Sequence, residues 1–169
     1  MDPSQSIWQA LSAISPSDRT DRTVTANGAE VQMRYAPEPG VDMRVQIADP
    51  RDPEAVTVST TFGTGADRPA SYPPELPYLP EHRALVTGGR QGGWTAVWFV
   101  ASGVESVAAE ILSQSAAAGW SEAASSEGGM LVPGMRIVEL ARPGLRRTVM
   151  ISSFGENGSI TLSDEPEGQ

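Results

Sequence analysis

The chain contains no cysteine. Disulfides, thiolate catalysis, thiolate zinc sites and cysteine-ligated iron–sulfur clusters are therefore excluded. It also contains no lysine: the 12 basic residues are all arginine, which rules out Schiff-base chemistry and a P-loop lysine. An arginine-only basic set fits a GC-rich coding bias and allows the planar, bidentate contacts that lysine cannot make. His82 is the single histidine, so one chain holds no multi-histidine metal site and no histidine relay. No run of about 18 apolar residues is present, so no segment reads as a membrane-spanning helix. The start MDPSQSIWQALSAIS has neither a basic n-region nor a long apolar stretch, and no signal peptide is read there.

Acidic residues number 21, giving a formal net charge of −9 over 169 residues. That balance argues against an electrostatic grip on nucleic acid or an anionic membrane. The length suffices for a packed core without staples. An acidic, cysteine-free composition is compatible with a periplasmic or membrane-peripheral setting and equally with a cytoplasmic one.

Residues 1–16 form an N-terminal segment. Within 3–14, Ile7, Leu11 and Ile14 share a helical face with Trp8 beside them, and Pro16 stops the pattern. Two readings are open: an arm that docks on a partner, or a terminal helix lying on the chain's own core. Residues 17–66 read as a strand-rich half. Asn27-Gly28 marks a turn; Val31, Met33 and Tyr35 alternate with polar residues, as do Val41, Met43, Val45 and Ile47; AVTVSTTF (55–62) follows as a third strand.

Residues 67–82 form a Pro/Tyr-rich connection. Pro69, Pro73, Pro74, Pro77 and Pro80, with Tyr72 and Tyr78 between them, exclude helix and central strand. Pro74-Glu75-Leu76-Pro77 has the spacing of a minimal proline ligand.

Residues 83–163 read as a sheet–helix–sheet unit. WTAVWFVA (94–101) is apolar at both parities, as a central strand is. A helix from 104 to 118 follows, with Ser102 as cap, Glu105 completing a capping box, and Gly119 in the left-handed C′ position. Val104, Val107, Ala108, Ile111 and Leu112 line its apolar face, extended by Ser115. Residues 121–129 read as a wet loop or a ragged edge strand. Arg142-Pro143-Gly144-Leu145 has the type II turn pattern, and Glu156-Asn157-Gly158 signals a second hairpin. Residues 164–169 read as a flexible acidic tail.

The expected fold is α+β, a mostly antiparallel sheet packed against one main helix. The likeness of VTVSTTFGTG (56–65) to VMISSFGENG (149–158) adds the expectation of a degenerate duplication of a small strand-rich unit.

No catalytic set emerges. GGRQGG (88–93) lacks the spacing and the following helix of a dinucleotide fingerprint. No nucleophile elbow occurs, and His82 has no fixed-spacing partner. Asp49, Asp52 and Glu54 crowd one loop, a weak calcium pattern that two Asp-Pro turns explain as well. No cofactor and no metal are expected.

Interaction residues are more legible. Ile7, Trp8 and Leu11 could anchor the N-terminal segment. Tyr72 and Tyr78 sit in the connection, Trp94 flanks the glycine loop, and Arg142, Arg146 and Arg147 form a basic patch at a hairpin. The pattern points to a non-enzymatic accessory or structural subunit acting through protein–protein interaction. The partners would be other subunits of a larger bacterial, envelope-associated assembly, without nucleic acid and without direct membrane insertion. The alternative is a small-ligand-binding domain with a groove near Trp94; a hydrolytic enzyme ranks below both.

Overall fold

The structure, a computed structural model, describes residues 25–27, 30–36, 38–47, 56–65, 67–88, 93–127 and 133–167. Ile7, Trp8, Leu11, the Asp49/Asp52/Glu54 loop and residues 89–92 of the glycine loop lie outside the described residues.

Among the described residues, ten strands and one helix follow each other: β1 (Thr25–Asn27), β2 (Glu30–Tyr35), β3 (Val41–Ile47), β4 (Val56–Phe62), β5 (Ala84–Gly88), β6 (Trp94–Val100), α1 (Val104–Ala117), β7 (Ser121–Glu127), β8 (Met135–Arg142), β9 (Leu145–Phe154) and β10 (Asn157–Pro166). They form one sheet in the order β1-β2-β3-β4-β5-β6-β10-β9-β8-β7. Every pairing is antiparallel. The α+β expectation holds: an antiparallel sheet packs against one main helix.

Residues of alternate parity face one side of the sheet, and that side carries the core. Phe62, Ala84, Val86, Ala96, Trp98, Ile160, Leu162, Val149, Ile151 and Val138 are buried there in one core with Val107, Ala108 and Ile111 of α1 and with Tyr72, Leu76 and Leu79 of the connection. Fully burying each such aliphatic side chain stabilises the fold by about 1.5–3 kcal/mol. This apolar stripe is what holds a helix too short to be stable alone.

The ends of α1 divide the capping expectations. At the C-terminus Gly119 has φ +89°, Trp120 N–H donates to Ser115 O at 3.1 Å and Gly119 N–H to Ala116 O at 3.0 Å. These paired bonds close the helix as expected. At the N-terminus the cap is Gly103, φ +71°, with no side-chain cap bond. Ser102 is not the cap, and Glu105 does not complete a box; its carboxylate instead accepts from Arg136 Nη2 at 2.9 Å. A cross-element cation outcompetes the local bond.

The second hairpin is displaced from Glu156-Asn157-Gly158. Phe154 pairs with Asn157, leaving Gly155-Glu156 as the two-residue loop, with Gly155 at φ +70°. Gly158 serves another purpose: a Cβ there would come within 2.3 Å of Ser152 O and 2.7 Å of Val104 Cγ2. The strand continues to Pro166, so Asp164 and Glu165 belong to the sheet and not to a frayed tail.

The duplication signal does not mark equivalent places. Phe62 ends β4 in the core, whereas Phe154 ends β9 and is 72% exposed. Residues 121–127 form an edge strand, with a register shift between Glu122 and Ala124. Such a bulge and an acidic edge discourage further pairing.

Candidate functional site

The Pro/Tyr-rich connection determines what remains accessible on the covered side. Prolines bring carbonyls but no donors, and no sheet ladder satisfies them. Donors come from elsewhere. Arg68 Nη2 reaches Pro73 O at 2.6 Å. Arg147 Nη2 reaches Glu75 O at 3.1 Å. The Tyr72 hydroxyl donates to Pro77 O. Gln114 of α1 donates Nε2–H to Tyr78 O at 3.0 Å and accepts from Tyr78 N–H at 2.9 Å, continuing the backbone pattern with a side-chain amide. The segment is thereby fastened beside α1 on the same face.

Tyr72 is buried, edge-on to Phe62 at 4.8 Å and to Tyr78 at 5.1 Å between ring centroids. Burial pushes its phenol well above the ordinary range, against a weaker opposing effect of Arg68. The Tyr78 hydroxyl donates to Gly65 O and Asp67 O. Both rings are thus engaged within the chain. Leu76 and Pro77 are buried as well, so the Pro74–Pro77 stretch is not presented as a proline ligand.

The three hairpin arginines do not form one patch. Arg146 is exposed, Arg142 is half-buried, and Arg147 is 0% exposed. Arg147 meets Asp164 through Nε–Oδ1 at 2.7 Å and Nη2–Oδ2 at 2.8 Å, and donates from Nη1 to Ser115 Oγ at 3.1 Å. Its guanidinium lies 4.2 Å, and that of Arg142 4.6 Å, from the centroid of the buried Trp120 ring. Two cations beside the carboxyl end of α1 also oppose its dipole. Arg147 is a core junction of sheet, helix and connection. Strand parity, which places it with Val149 and Ile151, was the available signal.

Trp94 occupies a different setting. It is half-buried, pairs across β5–β6 with Gly88, and lays its ring against that glycine, whose added Cβ would stand 3.4 Å from Cζ3. It borders a cleft of about 160 Å³ that neither α1 nor the connection fills. Val58, Thr60 and Val86 share the covered parity of the sheet there with Met43, and Ser71 and Pro73 of the connection also line it. Among the described residues its lining includes hydroxyls but no titratable side chain.

A second, more open cleft of about 400 Å³ lies at the amino end of α1, lined by Gly103, Glu105, Ser153 and Glu156 among others. Two carboxylates at its rim disfavour an anion there. Among the described residues, no group of three or more His, Asp or Glu is placed to hold a metal ion. His82, the last residue of the connection, is half-buried, and its backbone N–H donates to Leu79 O. No helix among the described residues is long and apolar enough to cross a membrane.

Compared with protein-family models, curated proteins and solved structures, the chain has no match. The functional reading therefore rests on the cleft beside Trp94 and the surfaces around it.

Proposed function

We propose that this protein is a non-enzymatic accessory or structural subunit, and that the cleft beside Trp94 receives an apolar side chain of a partner protein. The observation that carries this is size. About 160 Å³ is below the roughly 300–1,000 Å³ of small-molecule and cofactor sites. It matches one aliphatic or aromatic anchor of the kind that dominates interface energetics. The described lining agrees: an indole wall, a Met/Val floor and two hydroxyls, with no titratable side chain among the described residues to activate a nucleophile. The same volume counts against the small-ligand reading. The setting, a bacterial assembly attached to the envelope, is part of this proposal and rests on the lack of a recognisable catalytic set in the sequence together with its adhesive N-terminal and Pro/Tyr-rich segments.

Gentle extraction followed by size-exclusion chromatography and mass spectrometry of the co-eluting proteins tests this reading. The wild-type chain is expected in a reproducible larger complex. The cleft-filling Val58→Phe and the wall-removing Trp94→Ala are expected to release it as monomer while melting within a few degrees of wild type. A monomer in both soluble and solubilised membrane fractions overturns the subunit reading. An undiminished complex with both variants overturns the role of the cleft.

A further inference from the structure

The cleft beside Trp94 crosses three cross-strand rows on the α1 side of the sheet. Val58, Gly88 and Trp94 form the first, Met43, Thr60 and Val86 the second, and Phe62 lies in the third. Successive rows on one face are two residues apart, roughly 7 Å. The connection closes over the third row: Tyr72 lies edge-on to Phe62, and Ser71, just before it, lines the cleft. An apolar anchor seated over the middle row therefore lies about one row spacing from the Phe62 end.

A carboxylate stands at that end. Glu38, in the β2–β3 turn, accepts from Ser71 Oγ, from Ser71 N–H and from Ala70 N–H. These bonds fix the group in place, so a partner that uses it has little further ordering to impose. They also keep it ionised at neutral pH. An ionised carboxylate offers about four acceptor sites, and three are taken. Glu38 is only half-buried, and among the described residues no cation pairs with it. Arg68 also bonds to the lining, but it is committed to the connection: it donates to Pro73 O and Leu76 O, with its guanidinium 5.1 Å from the Tyr72 ring centroid. The net charge of −9 adds a longer-ranged attraction for cations.

Resting on the reading of this cleft as the receptor of a partner side chain, we infer that the partner segment carries an arginine or lysine next but one to its apolar anchor, and that this cation pairs with Glu38 while the anchor fills the cleft. In an extended segment, residues next but one to each other point the same way and stand roughly 7 Å apart. That is the spacing from the middle row to the Phe62 end. An exposed pair of this kind is modest and sensitive to salt, so it selects the partner more than it tightens the complex.

Two peptides titrated into the full chain at low salt test this. The first is acetyl-Arg-Gly-Phe-Gly-Arg-amide, which places a cation next but one on either side of the anchor. The second carries citrulline at both arginine positions, with nearly the same shape and no charge. The indole N–H NMR signal of Trp94, assigned with Trp94→Ala, reports binding. The arginine peptide is expected to bind about two- to fivefold more tightly than the citrulline peptide. Glu38→Gln is expected to abolish that advantage and leave the citrulline peptide's affinity unchanged. Glu75→Gln, which removes an exposed carboxylate elsewhere on the connection, is expected to retain the advantage. Equal affinities for wild type overturn the inference, as does an advantage that survives Glu38→Gln or is lost equally in Glu75→Gln; the cleft itself then still binds. If Glu38→Gln weakens both peptides alike, the carboxylate supports the cleft wall and not the partner, which also overturns the inference. If neither peptide shifts the Trp94 signal at millimolar concentration, the reading of the cleft fails and the inference with it.

Discussion

Arg147 and Asp164 stand directly opposite each other on β9 and β10, and the guanidinium meets the carboxylate through two parallel bonds of 2.7 and 2.8 Å. Both side chains are almost entirely removed from water. Breaking such a pair strands a buried charge, which costs about 3–5 kcal/mol, whereas replacing both partners by apolar groups is often neutral. Asp164→Leu alone is therefore expected to lower the urea midpoint sharply. Arg147→Met with Asp164→Leu is expected to recover much of the loss, less the contribution of the Glu75 O and Ser115 Oγ bonds. A denaturation double-mutant cycle checks this; additive losses would contradict it.

Glu38, in the β2–β3 turn, accepts from Ser71 Oγ, from Ser71 N–H at 2.9 Å and from Ala70 N–H at 3.2 Å. These bonds, the Ser71 hydroxyl first, hold its carboxyl below the ordinary value of 4.5. A group with a lowered folded pKa stabilises fully above its unfolded value and loses that contribution as pH falls through the folded one. Glu38→Gln is expected to be less stable than wild type at pH 7, with the two converging below pH 4.5. Melting curves from pH 3 to 7 measure it; a gap that persists undiminished at pH 3 would refute the assignment.

Tyr72 behaves oppositely at the other end of the scale. Burial raises its phenol above the ordinary value of 10. Its contribution is intact below pH 10 and disappears as the unfolded chain ionises above it. Tyr72→Phe is expected to cost about 1 kcal/mol at neutral pH through the lost bond to Pro77 O. Above pH 10 it should flatten the alkaline loss of stability, as read by chemical denaturation at pH 8 and pH 11.

Two glycines separate backbone strain from steric exclusion. Gly119→Ala places a side chain in the left-handed region at φ +89° with nothing within 4 Å, an expected loss of about 1–2 kcal/mol. Gly158→Ala drives a methyl into the Ser152 carbonyl and Val104. A backbone oxygen cannot step aside, so the larger loss is expected here, with α1 displaced from β10. Thermal melts of both variants rank them; the reverse order would show that α1 shifts freely.

Local chemistry was readable where one element decided the outcome. The glycine ending α1, the turn at Pro143-Gly144 and the central position of β6 all follow from a few adjacent residues. Prediction failed where distant groups competed. Ser102 and Glu105 have capping chemistry, yet Arg136, 31 residues away, claims the glutamate. Asn157-Gly158 is a strong turn signal, but the approach of Val104 keeps that glycine inside a strand. Arg147 looked like hairpin-tip charge because Arg142 and Arg146 flank it. Only the alternation with Val149 and Ile151, matched to that of Asp164 with Ile160 and Leu162, turns both inward. For the cleft, Trp94 and Gly88 were legible as neighbours of a glycine loop. The contributions of Met43, Val58 and Ser71 were not, since they depend on strand order and on where the connection lies.

The bond from Arg147 to Glu75 O spans 72 residues of sequence. During synthesis at about 5–20 residues per second, the proline segment emerges roughly 4–14 s before its arginine exists. For the first part of that interval the N-terminal strands lack the helix Val104–Ala117, and until Arg147 is made they lack the junction that secures their cover. Their apolar side is then open to water and to whatever holds nascent chains. A pause in translation between β6 and β9 would lengthen this vulnerable window, and a chain truncated within it would be a natural substrate for proteolysis.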